Sequence, residues 1–161
     1  MYITFEEYAT IYGSIDDGSF YRLAFDACRY IDRHTTGIDG VKKLKVAFPS
    51  DEDSAEAVKR CAAEIVNLLF QIQEAEKNAS VGRGYLQTEN GLQGKVVTSV
   101  SAGNESVSYS TGSFQSTEID VAAADRSVRD RLISSTVRDY LSGVSDANGV
   151  NLLYMGVYPC V

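Results

Sequence analysis

One amphipathic segment constrains the fold of this chain more than any other feature. From Ser54 to Glu76, apolar residues recur in steps of three and four, at positions 55, 58, 61, 62, 65, 68, 69 and 72. That is the period of one face of an α-helix. Ser50 is expected to cap its start and Asp53 to lie in its first turn. A helix of this length spans ~35 Å and cannot bury the stripe alone, so other elements must cover it.

Three further helices are predicted around it. Thr4 and Glu7 have the spacing of a capping box, which starts a short helix that ends before Gly13. A second apolar stripe follows the turn at 16–19, and a third ends at Gly143. The prediction is a mainly α single domain over residues 1–161, a small bundle of about four helices at 4–12, 19–35, 53–77 and 118–142.

Residues 95–110 have a different pattern. Apolar and small polar residues alternate on both sides of a Gly–Asn turn, which is the signature of a β-hairpin. An isolated hairpin is only marginally stable, so this arm is expected to pack on the helices or on another subunit. The preceding residues 78–94 hold four glycines and show no clear period, so the sequence does not fix their order, and only the glycine pair at 82–84 is interpreted as a flexible loop.

The last segment, residues 150–161, is apolar and aromatic and forms an extended C-terminal tail in this prediction. Chain termini are usually polar and frayed, so an apolar terminus must dock onto its own core, a neighbour or a partner. Tyr154, Met155 and Tyr158 fit either closure of the core or an exposed interface. We favour the interface, because an apolar end that follows a turn is readily presented to a partner.

Composition and charge narrow the function classes. A chain of 161 residues with 44% hydrophobic residues is long enough to bury a core as one domain. The net charge of -7, from 22 acidic and 15 basic residues, argues against tight sequence-independent DNA binding. The acidic N-terminus does not resemble a signal peptide, and no run of ~18 apolar residues predicts a membrane span. We therefore expect a protein made and kept in the cytoplasm of its host cell.

Titratable and reactive residues are sparse. The single histidine, His34, lies beside Arg33 at a predicted helix end, where a protonated imidazole complements the helix dipole. This role is more ordinary than catalysis. Cys28 and Cys61 fall on predicted core positions, so we expect buried thiols rather than a disulfide, and Cys160 makes the cysteine count odd.

No catalytic, cofactor or metal motif is predicted. The chain has no CxxC, HExxH or P-loop pattern, and the glycine pair at 82–84 lacks the lysine of a phosphate-binding loop. Paired carboxylates can serve acid–base chemistry or cation binding. The acidic runs at 16–17 and 51–53 both precede helices, where carboxylates are ordinary capping groups. Capping is therefore the preferred interpretation.

Six segments in order resemble the small head–tail connector proteins, also called adaptor or head-completion proteins, of long-tailed bacteriophages and prophages. No segment is diagnostic alone, and the order of all six is more specific than any catalytic motif in the chain. The segments are YITFEEYATIYG (2–13), FYRLAFDACRYIDRHTTG (20–37), AVKRCAAEIVNLL (57–69), SVSAGNESVSYS (99–110), STVRDYLSG (135–143) and LLYMGVY (152–158).

The resemblance implies a structural virion protein, not an enzyme, that forms a homo-oligomeric ring beneath the portal protein. Twelve subunits are expected by match to the portal. The ring would lengthen the channel through which double-stranded DNA passes without specific binding, and would meet the stopper or tail-completion protein. These expectations place the protein in the virion neck, between head and tail, with no cofactor, metal or membrane.

The resemblance also implies roles for two sets of residues. The C-terminal segment would dock to the portal or to a neighbouring subunit through Leu152, Leu153, Tyr154, Met155, Val157 and Tyr158. The loop between the third and fourth helices would be an inter-subunit arm that contains Val96, Val100, Val107 and Tyr109.

Three alternatives remain open at this point. A small helical regulatory or adaptor module would bind a protein partner through the apolar tail, and its sign would be a compact monomer whose tail folds back on its own helices. A carboxylate-dependent hydrolase would use Asp51 or Asp53. A stopper or tail-completion protein is typically richer in β-structure, which the three long helical stripes argue against.

Overall fold

A computed structural model of the chain describes the backbone of residues 1–88, 91–101, 106–110 and 117–159, and the side chains of residues 1–78 and 117–159. Within these residues the fold is mainly helical, which confirms the predicted small bundle. The elements, in chain order, are α1 (Phe5–Tyr12), α2 (Asp17–Thr35), α3 (Lys43–Val46), α4 (Glu52–Gly82), β1 (Arg83–Thr88), β2 (Gly91–Ser101), β3 (Ser106–Ser110), α5 (Glu118–Ala124) and α6 (Arg126–Leu141).

The helix α4 is the centre of the bundle and contacts α1, α2, α5 and α6. The predicted stripe is the buried face of α4, with Val58, Cys61 and Ile65 fully excluded from solvent. Ala63 and Val66 lie outside that stripe and are also fully buried, because neighbouring helices flank α4 on more than one side. The core is completed by Phe20, Ala27 and Ile31 of α2 and by Ile133, Val137 and Leu141 of α6.

Side-chain caps start the helices as the sequence indicates, with one correction. The capping box of α1 is present, since Thr4 Oγ1 accepts from Glu7 N at 3.2 Å and Glu7 Oε2 accepts from Thr4 N at 2.8 Å. Asp16 Oδ1 caps α2. The cap of α4 is Asp51, not Ser50, because α4 begins at Glu52 and the Ser54 amide donates to the Asp51 carboxylate at 2.9 Å.

The predicted helix 118–142 is two helices, α5 and α6. Asp125 has extended backbone angles, φ -124° and ψ 113°, and ends α5. Its carboxylate Oδ1 accepts from Ser127 N at 2.7 Å and so caps α6. Asp125 falls on the apolar stripe of the single-helix prediction, and its capping chemistry outweighs the continuous period at that point.

Two connections whose structure the sequence left open are defined here. The segment between α2 and α4, left undecided between an extended strand and a helical turn, contains both a Thr36–Lys42 bridge and the single turn α3. The segment 78–94 is not an aperiodic loop throughout: α4 continues to Gly82 and leads directly into strand β1.

The inserted arm is a three-stranded antiparallel sheet in the order β1-β2-β3. The predicted hairpin is its β2–β3 pair, with Val100 opposite Val107. The register shifts between Val97 and Ser99, so that Tyr109 lies opposite Val97. An extra residue of this kind bends a strand and increases its twist. The predicted Gly–Asn turn at 102–105 lies outside the described residues.

Candidate functional site

The C-terminal segment folds back on the bundle and is held there by a buried lysine. Lys43, on α3, is fully excluded from solvent. Its ammonium group donates to the carbonyl of Leu152 at 2.9 Å and to the carbonyl of Tyr154. Because a buried charge is tolerated only when it is well hydrogen-bonded, these contacts fix the path of the tail across α3.

The loop that follows α2 contacts the next part of the tail. Ile38 N donates to the carbonyl of Met155 at 3.0 Å, and the Tyr158 amide donates to Asp39 Oδ2 at 2.6 Å. A Cβ atom on Gly37 would lie 2.5 Å from the Gly156 carbonyl oxygen, so the absence of a side chain at Gly37 permits this close approach.

A third set of contacts anchors the far end of the tail. The Tyr158 hydroxyl donates to Asp146 Oδ2 at 2.6 Å and accepts from Asn148 Nδ2 at 2.9 Å. The other carboxylate oxygen of Asp146 accepts from the amides of Asn148 and Val150, both at 2.9 Å. Within the described residues the tail is therefore attached at Leu152 and again at Tyr158.

These attachments divide the six predicted interface residues into two groups. Leu152 and Tyr158 are buried and Leu153 packs partly on the core, so these side chains close the core of the subunit. In this conformation Leu152 and Tyr158 leave almost no surface for a partner and Leu153 leaves only part of its side chain, so a docking role for these three residues stays a prediction. Tyr154, Met155 and Val157 remain 52%, 57% and 66% exposed, and an interface role for them stays a prediction.

Ile38 belongs with these exposed residues, although it was not identified from the sequence as an interface residue. It is 81% exposed and is hydrogen-bonded through its backbone to Met155. An isolated isoleucine in a Gly-containing connection carries no periodic signal, and only the long-range contact shows its place. We call the exposed surface of Ile38, Tyr154, Met155 and Val157 the apolar platform. Exposed apolar surface of this kind is typical of protein-interaction sites.

The residues of the predicted inter-subunit arm belong to the sheet by their backbone pairing. Val96 pairs with Ser110, Val100 with Val107, and Tyr109 with Val97. The side chains of these residues lie outside the described set, so the inter-subunit role of Val96, Val100, Val107 and Tyr109 stays a prediction.

His34 differs from its expected role as a protonated helix-end cation. Its Nε2 lies 3.3 Å from Ser134 Oγ on α6. Burial lowers the pKa of His34, and the nearby charges of Arg33 and Arg138 lower it further, so the neutral imidazole is favoured at pH 7. Ser134 Oγ donates to the Asp130 carbonyl at 2.7 Å. The Ser134 hydroxyl proton is therefore donated to the backbone of α6 and not to the imidazole of His34.

The acidic runs before α2 and α4 act as caps, as expected. Asp51 and Asp16 each accept from a backbone amide, of Ser54 and Ser19 respectively, and this hydrogen bonding lowers the pKa of both carboxyls.

Among the described residues, no group of three or more His, Cys, Asp or Glu side chains is arranged to hold a metal ion. Cys61 is a buried free thiol, as expected, whereas Cys28, also free, is only half-buried; Cys160 lies outside the described residues.

A groove of about 520 Å³ lies between α2, α4 and α6 and is lined by charged residues. Its cationic groups are already engaged within the chain. Arg22 donates to Gln73 Oε1 at 2.8 Å, and Arg129 forms an ion pair with Glu76 at 2.6 Å. The groove is therefore a weaker candidate for a binding site than the apolar platform.

Comparison with known proteins adds no family to this description. No protein-family model matches the chain, and no curated protein or solved structure matches it either. Every helix within the described residues is too short or too polar to cross a bilayer.

Proposed function

We propose that this chain is a head–tail connector of a long-tailed bacteriophage or prophage. In this role it forms a ring under the portal protein, joins the capsid to the tail in the virion neck and lengthens the channel for double-stranded DNA. Its partners are the portal, copies of itself, expected to number twelve, and the stopper or tail-completion protein. It acts as a structural protein rather than as an enzyme.

The observation that carries the proposal is the apolar platform at the end of a small helical bundle. Four large apolar side chains are exposed together there, while Lys43, Asp39 and Asp146 hold the backbone beneath them in place. A preorganised apolar surface loses little conformational entropy on docking. It is thus suited to contact with a large protein assembly.

Charge supports the DNA-channel part of the proposal. The chain has a net charge of -7, so a ring of many copies would carry a large negative charge. An acidic inner surface repels phosphate and lets DNA pass without binding. The antiparallel sheet inserted between α4 and α5, with three strands among the described residues, would serve as the arm that contacts neighbouring subunits.

A second candidate is a small helical regulatory or adaptor module. One observation favours it: the tail folds back on its own chain, with Leu152 buried in the core and Lys43 donating to the tail carbonyls. A monomer of this kind would use the same apolar platform to bind one protein partner. The two candidates differ in whether the protein assembles with copies of itself or with a portal.

Negative-stain imaging and mass determination test the proposal, with the purified protein alone and mixed with the portal protein of the same genome. Annular particles, or portal rings enlarged by a new layer, are the expected result. A ring seen only in the mixture means that the portal templates assembly. Absence of association in both samples would overturn the connector proposal and leave the adaptor module as the better account.

The platform itself is tested by the double substitution Met155→Ser with Val157→Ser. Both side chains are exposed, so the fold should be preserved while portal binding is lost. The matched control is Phe25→Ser with Val121→Ser, which removes two exposed apolar side chains from α2 and α5. Truncation of the whole tail is a poorer test, because it also removes the buried Leu152.

A further inference from the structure

Glu64 of α4 has an unusual environment, because tyrosines surround it. The Tyr12 hydroxyl donates to Glu64 Oε2, and the rings of Tyr8 and Tyr12 lie 5.5 Å apart. Burial raises the pKa of Tyr8 and of Tyr140, and the Glu64 charge raises both further. The carboxylate is therefore close to side chains from α1 and from α6 as well as to its own helix.

No Lys or Arg side chain within residues 1–78 and 117–159 forms an ion pair with this carboxylate. Arg60, four residues before Glu64 on α4, is paired with Glu56 at 2.8 Å, although its charge also acts on Tyr140. Asp32 provides the comparison: it also accepts from a tyrosine hydroxyl, that of Tyr2, and is in addition paired with Lys45 at 3.3 Å. Glu64 likewise accepts a hydrogen bond from a tyrosine, but it forms no ion pair with a described lysine or arginine.

The surroundings of Glu64 fit a guanidinium group. Carboxylates bind guanidinium through two parallel hydrogen bonds, and guanidinium planes stack on tyrosine rings. Glu64 Oε1 accepts no hydrogen bond from the described residues and is not excluded from solvent, since Asp130 Oδ1 is the sole buried side-chain oxygen without a partner there. Tyr12, 36% exposed, presents ring surface beside it.

Two exposed arginines, Arg33 of α2 and Arg138 of α6, provide the guanidinium groups that such a site could bind. Arg33 and Arg138 both influence His34, which contacts Ser134 of α6. Neither makes an ion pair with the acids among the described side chains. Arg138 and Tyr140 are two residues apart on α6, and two helical residues are separated by about 200° of rotation. The basic pair and the Glu64 site therefore flank opposite sides of this helix.

We infer that Glu64, framed by Tyr8, Tyr12 and Tyr140, receives the guanidinium of Arg33 or Arg138 from a second copy of this chain. Two different and complementary sites on one subunit form a head-to-tail interface, which is the kind that closes into a ring. The inference rests on the proposed function and names the surfaces that join neighbouring subunits. The negative charge of Glu64 and the positive charges of Arg33 and Arg138 are complementary, which is why a second copy of the chain is the expected partner.

Charge reversal tests the inference, with self-association measured by analytical ultracentrifugation and imaging. Glu64→Arg alone, and Arg33→Glu with Arg138→Glu, should each weaken association by about tenfold or more, because like charges then meet at the interface. Mixing the two variants should restore it, since the reversed sites of one complement those of the other. Each variant alone should remain dispersed.

The matched controls are Glu74→Arg on α4 and Arg126→Glu on α6, which carry the same charge changes at exposed positions away from both sites. Both should associate like the wild type. Glu64→Gln guards against misfolding, because its amide oxygen still accepts from Tyr12 while the negative charge is gone. It should keep the thermal stability of the wild type and still weaken association.

The outcomes separate the inference from the proposed function. Wild-type rings that tolerate both reversals, or reversals that mixing does not rescue, would overturn the inference and leave the connector proposal standing. If Glu64→Gln lowers thermal stability and leaves association unchanged, Glu64 only attaches α1 to α4 and the inference is wrong. A wild type that stays monomeric, alone and with the portal, would overturn both.

Discussion

Lys43 is the residue on which the position of the C-terminal tail most depends. Its side chain is fully buried, yet its ammonium group lies against two carbonyl oxygens and 5.8 Å from the centre of the Tyr154 ring. Carbonyl dipoles and an aromatic face both stabilise a cation that has lost its water. The lysine therefore links α3 to the tail in place of an apolar contact.

Lys43→Met should loosen the tail without disrupting the helices. Methionine fills a similar volume but leaves the carbonyls of Leu152 and Tyr154 without their donor, at a cost of about 2–3 kcal/mol in unfolding free energy. Hydrogen exchange should accelerate at the Ile38 and Tyr158 amides, which bond across the same junction. Lys42→Met, at the exposed neighbour, serves as control and should change neither quantity. Unchanged exchange in Lys43→Met would contradict this account.

At the scale of elements, capping side chains decide where helices begin and end. Asp125 separates α5 from α6 although the apolar period runs through it. Its carboxylate also meets the Ser127 hydroxyl at 2.8 Å, in addition to the Ser127 amide. A side chain that accepts from the backbone amide two residues ahead favours an extended conformation at its own position over a continuing helix.

Asp125→Ala should therefore destabilise the protein by about 1 kcal/mol, the usual cost of losing a helix N-cap. Urea denaturation followed by circular dichroism measures this difference. The control is Asp139→Ala, in which an exposed acid near the C-terminal end of α6 is removed. That change should be neutral or slightly stabilising, since acids oppose the dipole at that end. Equal effects of the two substitutions would argue against a capping role for Asp125.

At the scale of the whole molecule, several carboxylates stabilise the fold in the same way. Hydrogen bonds lower the pKa of five of them, each through a partner close to a helix start or the tail: Glu7 (Lys59 and Thr4), Asp16 (Ser19), Asp39 (Tyr158 and Val41), Asp51 (Ser54) and Asp125 (Ser127). Protonating any of these five carboxyls should therefore lower the free energy of unfolding.

The protein should lose stability in acid. A carboxyl whose pKa is lower in the folded state binds a proton more readily when unfolded, so its contribution is complete above the ordinary pKa, 3.8 for Asp and 4.5 for Glu, and declines as the pH falls below it. Urea midpoints measured from pH 7 to pH 2 should stay level down to about pH 5 and decrease below it. Asp39→Asn should show a shallower decrease. A midpoint that is constant or rises toward pH 2 would contradict the prediction.

Much of the helical fold could be predicted from the sequence because it depends on neighbours in the chain. The buried face of α4 follows from side chains three and four residues apart, and the caps at Thr4 and Asp16 bond amides three residues ahead. Such interactions form within one or two turns of helix and leave a direct pattern in the sequence.

The candidate site could be predicted only in part, because its contacts join distant residues. Lys43 and the tail carbonyls are 109 and 111 residues apart, and Tyr12 is 52 residues from Glu64. The sequence identified the tail as apolar, but Leu152 and Met155 look equivalent there. Only the packed bundle decided that one enters the core while the other stays exposed, because burial depends on which surfaces meet when the helices assemble.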